Sequence, residues 1–466
     1  MKNMKNKSFI ILAAIFLLII FFSQFKLINH PVYDNDEGIY LTSFLLVDRG
    51  HRPYKETFFS QPPGFLLTVY PGFVLFGKTL QSARLTVGIW SLIGLLAILW
   101  ISFELKNRWA GLLAISLLFL IPSYYNQTLT FQSDILISTF SLLSLAALIR
   151  FSKSLHLFWF ITSVLLLNLA FWTKLDITFF PSLIVALFLL FKEKRASIKN
   201  IINLFLIFFT VRLGFFIFFI LPFGIKDVFN NSILLRFQAV ATSSTSFLLF
   251  NYLKKDIILS IIIFGSLILS FIYKNKFDYP INIIVIWNIF VLIIFIFYRP
   301  LFPHHLVMLA VPVTLLFSQL FEQCFSNKKL FKFIILTIII ISLSNRIYMT
   351  TKTSSKLINN QQQKAVDIIK KYTKLDDVVV SDEEALNGLS GRLPPPELSD
   401  ISFVRIRSNN LIPENFKKII NAYKPKLIIP WNGRLELIKD FKDVLIDYKL
   451  LTTISNSKNI YIRIAE

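Results

Sequence analysis

Apolar runs of about twenty residues recur along this chain, separated by short polar connections that hold many of its basic residues. The first, Phe9 to Ile28, has the length a helix needs to cross the hydrocarbon core of a bilayer. Further runs are Arg84 to Phe103, Trp109 to Tyr125, Asp134 to Ile149, Leu157 to Thr173, Ile177 to Phe191 and Ile201 to Phe223, then Ile257 to Tyr273, Ile281 to Tyr298, Leu306 to Phe321 and Leu330 to Ile347. The pattern predicts about eleven transmembrane helices. The hinge Thr173-Lys174-Leu175-Asp176 is so brief that the pair it joins also fits a re-entrant turn.

Two stretches break the pattern. Asn29 to Gly64 is the first long polar segment, and it gathers acids, bases and aromatics that its flanks lack. Past Thr350 the chain turns polar for good, with β-like runs at Val378 to Val380, Leu427 to Ile429, Leu450 to Ile454 and Ile460 to Ile464. Helical patterns at Asn360 to Tyr372, Pro413 to Tyr423 and Leu435 to Tyr448 lie among them, and Gly391 to Pro396 reads as a rigid loop. The expected fold class is an all-α polytopic membrane domain, residues 1–349, with a small C-terminal α/β domain, residues 350–466.

Composition supports that reading. Of 466 residues, 55% are hydrophobic, 16% are charged and 50 are Phe, too little polar surface to cover a water-soluble globule. The formal charge of +22 does not point to nucleic acid, because the basic residues fall between apolar runs, where topology signals lie. The single cysteine, Cys324, excludes an intrachain disulfide framework and a multi-cysteine metal site.

With the amino terminus inside, the cytoplasmic connections hold Lys106 and Arg108; Arg150 and Lys153; Lys192, Lys194, Arg195 and Lys199; Lys274 and Lys276; and Lys328 and Lys329. Each carries at least two basic residues, as the positive-inside rule asks. The first run is too long for the core of a cleaved signal peptide, so it is expected to remain as an anchor. The odd number of crossings places Asn29 to Gly64, Ile225 to Asp256 and everything after Thr350 outside, in a multi-pass protein of the cytoplasmic membrane.

The candidate chemistry lies at the outer interface. Asp34, Asp36 and Glu37 follow the first helix, where a carboxylate can act as general base on a hydroxyl or hold a metal or a sugar hydroxyl; solvated loop acids are the plainer reading. Asp134 opens the fourth span, where a helix-capping role competes with a chemical one. Lys174, Arg236 and Arg299 are placed to meet a lipid-linked phosphate, or to snorkel to the interface. His304 and His305 follow Arg299, but zinc would need further ligands. Arg212 lies inside an apolar span and should face the bundle interior.

At this point the arrangement resembles a family. Asp36-Glu37-Gly38-Ile39-Tyr40, Gly50, Pro53-Tyr54 and Pro62-Pro63-Gly64 look like the first outer loop of GT-C glycosyltransferases. The branch is that of the protein mannosyltransferases, the lipid A aminoarabinose transferases and the Rgt-like bacterial enzymes, which is glycosyltransferase family 39-like. Arg84, Asp134, Lys174 with Pro181, and Phe302-Pro303-His304 leading into Pro312 extend the likeness. It implies an inverting hexosyl or pentosyl transfer from a polyprenyl-phosphate carrier to a lipid, polysaccharide or protein acceptor. Asp36 matches the catalytic acid, with Glu37 beside it; Asp134 matches a second acidic position and Lys174 a basic position near the donor phosphate. Tyr54, Lys55, Gln61, Arg236, Arg299 and His304 join the expected substrate-binding set. Many members carry Lys where this chain has Gln61. No obligatory cofactor is expected; a divalent cation is the optional addition, with Asp36 and Asp134 its candidate ligands. A transporter or flippase for lipid-linked sugars is the alternative from another class, although transporters place their sites near the bilayer midplane. A non-catalytic assembly partner is a third.

Overall fold

The computed structural model describes residues 2–29, 34–175, 183, 187, 197–235, 245–274, 277–298, 300–325, 327–354 and 360–464. In chain order the principal helices are α1 (Lys2–Ile28), α2 (Asn35–Asp48), α3 (Pro63–Leu75), α4 (Leu80–Glu104), α5 (Arg108–Leu120), α6 (Asp134–Ser154), α7 (Leu157–Lys174), α8 (Ile198–Phe215), α9 (Thr245–Lys255), α10 (Ile257–Tyr273), α11 (Tyr279–Phe297), α12 (Leu306–Gln323) and α13 (Lys328–Ser354). Helices α14 (Asn360–Tyr372), α15 (Glu384–Ser390) and α16 (Pro413–Tyr423) and strands β1 (Val379–Ser381), β2 (Leu427–Ile429), β3 (Tyr448–Ile454) and β4 (Lys458–Arg463) complete it. The chain divides into two compact units, one formed by Met1–Asn29, Leu85–Phe218 and Ser243–Ser355, the other by His30–Arg84, Phe219–Thr242 and Lys356–Glu466.

The first unit is helical and apolar. Seven helices among the described residues are long and apolar enough to cross a membrane, or up to eight if the bent pair α9–α10 is one span. The expected eleven are therefore not all matched. The apolar helix Arg108–Leu120 of α5 is short, and in α1, a helix of 27 residues, the stretch counted is Phe9–Ser23. The run read as Trp109 to Tyr125 is cut at Ile121, because Pro122 has no N–H to continue the helix and starts a separate turn. Ile177 to Phe191 lies almost wholly outside the described residues.

Of the candidate spans, α6 and α12 are the most enclosed, and hydrogen bonds from polar side chains tie them to their neighbours inside the apolar core. Ser144 of α6 and Ser163 of α7 each donate to the other's carbonyl, at 2.8 and 2.9 Å. Asn288 donates to the carbonyl of Pro312 at 3.0 Å, and Gln319 to the Ser102 hydroxyl at 2.9 Å. At the corner between α9 and α10 the chain turns by 107°. Buried Asp256 caps α10 there through the N–H of Leu259 at 3.2 Å and accepts from Ser123 Oγ at 2.7 Å. The opposite faces expose Phe22, Leu206, Phe209, Phe264, Phe271, Phe297, Phe333 and Ile340, an apolar surface suited to hydrocarbon rather than water.

The second unit contains a four-stranded sheet of order β1-β2-β4-β3. β1 and β2 run parallel, pairing Val380 with Ile428, while β4 is antiparallel to both β2 and β3. Alternation along the strands sends Val380 and Ile428 into one core with Phe416 and Ile420 of α16. Val379, Leu427 and Ile429 go to the other face, against Ala365, Val366 and Ile369 of α14. The helix expected over Leu435 to Tyr448 is broken into short turns, Leu435–Leu437 and Phe441–Val444, because Asp440 between them takes a left-handed φ of 61°. The segment read as a loop, Asn29 to Gly64, holds helix α2 and the start of α3.

Candidate active site

Helix α2 begins where a polar N-terminal turn meets an apolar run. Asp34 sits in extended backbone as the N-cap and its carboxylate accepts from the N–H of Asp36 at 3.3 Å. Asp36 and Glu37 occupy the first turn, where the helix dipole favours negative charge. Glu37 is fully buried and meets Arg84 of α4 in a two-point pair: Nε donates to Oε1 at 2.8 Å and Nη2 to Oε2 at 2.6 Å. Asp36, one residue earlier on the helix, is half-buried.

After α2 the chain doubles back through Gly50 at φ 94° and Tyr54 at φ 68°. Tyr54 is buried and donates its hydroxyl to the Gln61 carbonyl at 2.6 Å, while the Gln61 amide donates to the Tyr40 hydroxyl. Burial pushes the Tyr54 phenol well above its ordinary range. Asn231 donates to the Tyr54 carbonyl at 2.9 Å. Tyr54 and Gln61, both expected to bind substrate, thus also shape the segment, whereas Lys55 between them is exposed. Pro62 and Pro63 set the start of α3, with Pro63 in its first turn, where a missing N–H costs nothing.

In the other unit, α6 and α7 form a tight antiparallel hairpin that brings the first residue of α6 beside the last of α7. These residues are Asp134 and Lys174. The Lys174 ammonium reaches both carboxylate oxygens, at 2.7 and 2.8 Å, and both side chains are buried. Each charge lies at the helix end that favours its sign. Leu175 closes α7 in the left-handed region at φ 58°.

The other expected residues are placed as follows. His304 and His305 form a short 3-10 turn, both buried, their ring centroids 4.4 Å apart; His304 stacks on Phe302, and His305 Nδ1 accepts from the Phe302 N–H at 3.1 Å. Arg212, in the last turn of α8, lies over the Phe171 ring at 4.5 Å. Arg236 and Arg299 fall outside the described residues. Among the described residues no group of three or more His, Cys, Asp or Glu is arranged to hold a metal ion.

Two charged residues matter more than the sequence reading allowed. Arg84, which the sequence marks as opening a span and as extending the family likeness, forms the buried pair with Glu37. Arg346 of α13 is buried against the Tyr125 ring at 3.8 Å, with its Nε 3.4 Å from Ser23 Oγ. The available signal was the one that drew attention to Arg212, a lone charge within an apolar helix.

The family model of dolichyl-phosphate-mannose-protein mannosyltransferase matches residues 60–223. That stretch includes Gln61, Arg84, Asp134, Lys174 and Arg212 and leaves out Asp36 and Glu37. ArnT from Cupriavidus metallidurans bound to undecaprenyl phosphate is similar over 98% of both chains, at 13% identity and a TM-score of 0.70. Its apo structure gives a TM-score of 0.69 at the same identity and coverage. The fold is that of the GT-C glycosyltransferases. The Archaeoglobus fulgidus oligosaccharyltransferase tethered with an acceptor peptide containing the NVT sequon shares this GT-C fold, with a TM-score of 0.58 and 11% identity over 100% of this chain and 75% of that one. No curated protein sequence matches. The family model and these structures are what the chain is similar to, and what the structures share with it is the fold.

Proposed function

We propose that this chain transfers a hexosyl or pentosyl group from a polyprenyl-phosphate carrier to a lipid, polysaccharide or protein acceptor at the outer face of the cytoplasmic membrane, with Asp36 as the general base. The observation that carries the assignment is the division of labour among three acids. Asp34 caps α2 and Glu37 is paired with Arg84, while Asp36, half-buried on the first turn, stands where the resemblance puts the catalytic acid.

In the proposed reaction the acceptor hydroxyl gives its proton to Asp36 and its oxygen attacks the anomeric carbon. The bond from that carbon to the phosphate oxygen breaks, and the polyprenyl phosphate leaves with the electron pair, inverting the configuration. Charge developing on the phosphate calls for fixed cations. Lys174, oriented by Asp134, is one candidate; Lys55, Arg236, Arg299 and His304 are others. The reading takes no obligatory cofactor, with a divalent cation on Asp36 or Asp134 as the optional addition. It keeps the amino terminus cytoplasmic and the C-terminal α/β region outside.

The test incubates purified protein with radiolabelled undecaprenyl-phosphate sugars and isolated cell-envelope lipids and polysaccharide. The wild type should yield glycosylated product, and Asp36→Asn should yield none while keeping the wild-type elution profile in detergent. Full activity in that variant refutes Asp36 as base. Movement of labelled lipid across vesicles without any product refutes transfer itself.

A further inference from the structure

We propose that helix α15 is the positioning element for the catalytic turn of α2, so that residues 356–466 act in the reaction by fixing where Asp36 points. This rests on reading Asp36 as the base. The two helices approach each other through reciprocal glycines. A Cβ added at Gly38, two residues after Asp36, would lie 2.4 Å from the backbone nitrogen of Ala385 in α15. One added at Gly388 of α15 would lie 2.6 Å from the Leu41 side chain of α2. At Gly38 the backbone of α2 therefore lies against the backbone of α15 with no room for a larger residue, and at Gly388 the backbone of α15 lies against the Leu41 side chain.

Polar contacts fix the register of that crossing. Thr42 of α2 donates its hydroxyl to the Glu384 carbonyl at 2.8 Å, one turn on from Gly38. Near the far ends of the two helices Arg49 Nη2 donates to the Gly391 carbonyl at 2.8 Å. The first turn of α15 is itself immobilised, since buried Glu384 accepts from Arg434 Nη2 and from the Ile401 N–H, each at 2.8 Å. Asp382, just before the helix, accepts from the N–H groups of Trp431, Asn432 and Leu435. The segment following α2 is gripped as well. Ser399 Oγ donates to the Phe58 carbonyl at 2.9 Å, and the buried Arg405 guanidinium lies 3.8 Å from the centre of the Phe58 ring. A helix held at Gly38 by close backbone contact and at Thr42 and Arg49 by hydrogen bonds presents its first turn in one place. A base displaced by about 1 Å loses on the order of 100-fold in rate.

Thr42→Val and Thr42→Ser separate positioning from mere folding, because Val matches Thr in shape and lacks the hydroxyl while Ser keeps it. Single-turnover transfer of radiolabelled undecaprenyl-phosphate sugar reads both the rate constant and the amplitude. Thr42→Val is expected to lower the rate constant about tenfold with its amplitude unchanged, Thr42→Ser to restore it, and Gly38→Ala to lower it further. A loss of amplitude at an unchanged rate constant means fewer folded molecules and overturns the proposal, as does wild-type behaviour of Thr42→Val. Asp36→Asn is run alongside. If it is inactive while Thr42→Val and Gly38→Ala behave as wild type, the positioning role fails and the base assignment stands; if it is active, the base assignment fails.

Discussion

Removing one member of the Arg84–Glu37 pair should be among the costliest single changes available in this chain. The two side chains retain 2% and 0% of their exposure and share hydrogen bonds of 2.8 and 2.6 Å. Water therefore contributes almost nothing to either charge, and the hydrogen bonds of the pair replace part of the lost hydration. Arg84→Met leaves the Glu37 carboxylate buried beside an apolar chain, and Glu37→Leu strands the guanidinium in the same way. Either loss should cost about 3–5 kcal/mol, two orders of magnitude or more in the folded-to-unfolded ratio. The double variant removes both charges and should recover most of that cost, since an apolar pair of similar volume often replaces a buried ion pair without penalty. Equilibrium unfolding in mixed detergent and SDS micelles, for wild type, both single variants and the double, gives the coupling energy directly. Single effects below about 1 kcal/mol that simply add would show that the pair is hydrated and that Glu37 is not held as the geometry indicates.

Asp134→Asn and Lys174→Met should each slow transfer by about tenfold or more, because either removes the two-point ion pair that orients the other buried charge; wild-type turnover in both removes the pair from the site. Burial outweighs the attraction of Arg434 and raises the Glu384 carboxyl from 4.5 to about 8. Its folded value lies above its unfolded one, so the stability it contributes is fully present below pH 4.5 and is lost as pH rises through about 8. Glu384→Gln should flatten that slope in unfolding midpoints measured across the range, and parallel slopes for the two proteins would contradict the shift. Native Cys324 is exposed and is read as cytoplasmic. In intact spheroplasts a membrane-impermeant maleimide should leave it unlabelled and should label Lys55→Cys in a Cys324→Ser background, and the reverse pattern inverts the proposed topology.

Much of the helical architecture was legible because a bilayer-crossing helix declares itself within its own residues. Ile257–Tyr273 was expected with those bounds, helped by Asp256 as its cap. Asn360–Tyr372 and Pro413–Tyr423 likewise end where the pattern does, the latter carrying Pro in its first turn. What escaped depended on distant partners. Nothing near Glu37 in the sequence announces Arg84, 47 positions away. Helix α2 was hidden by its polar opening and by Gly38, a residue that weakens a helix unless, as here, another backbone needs the room. Residues 30–84 and 356–466 form one unit because α2 and α15 pack together, a pairing that no local periodicity encodes. Asp36 is legible as a candidate, whereas the partners of Asp34 and Glu37 are visible only in the fold.

The corner at Asp256 bears on the kind of bilayer this protein suits. Helix α10 has 17 residues, an axial length of about 25 Å, short of the roughly 30 Å hydrocarbon core of a typical membrane. A rod this short has no slack for tilt, and the Asp256 hydrogen bonds to Ser123 anchor one end of it to the turn before α6. Read as a crossing, α10 calls on lipids to thin around it rather than on the helix to lean, and reconstitution into short-chain phospholipids is then expected to favour the protein over long-chain ones.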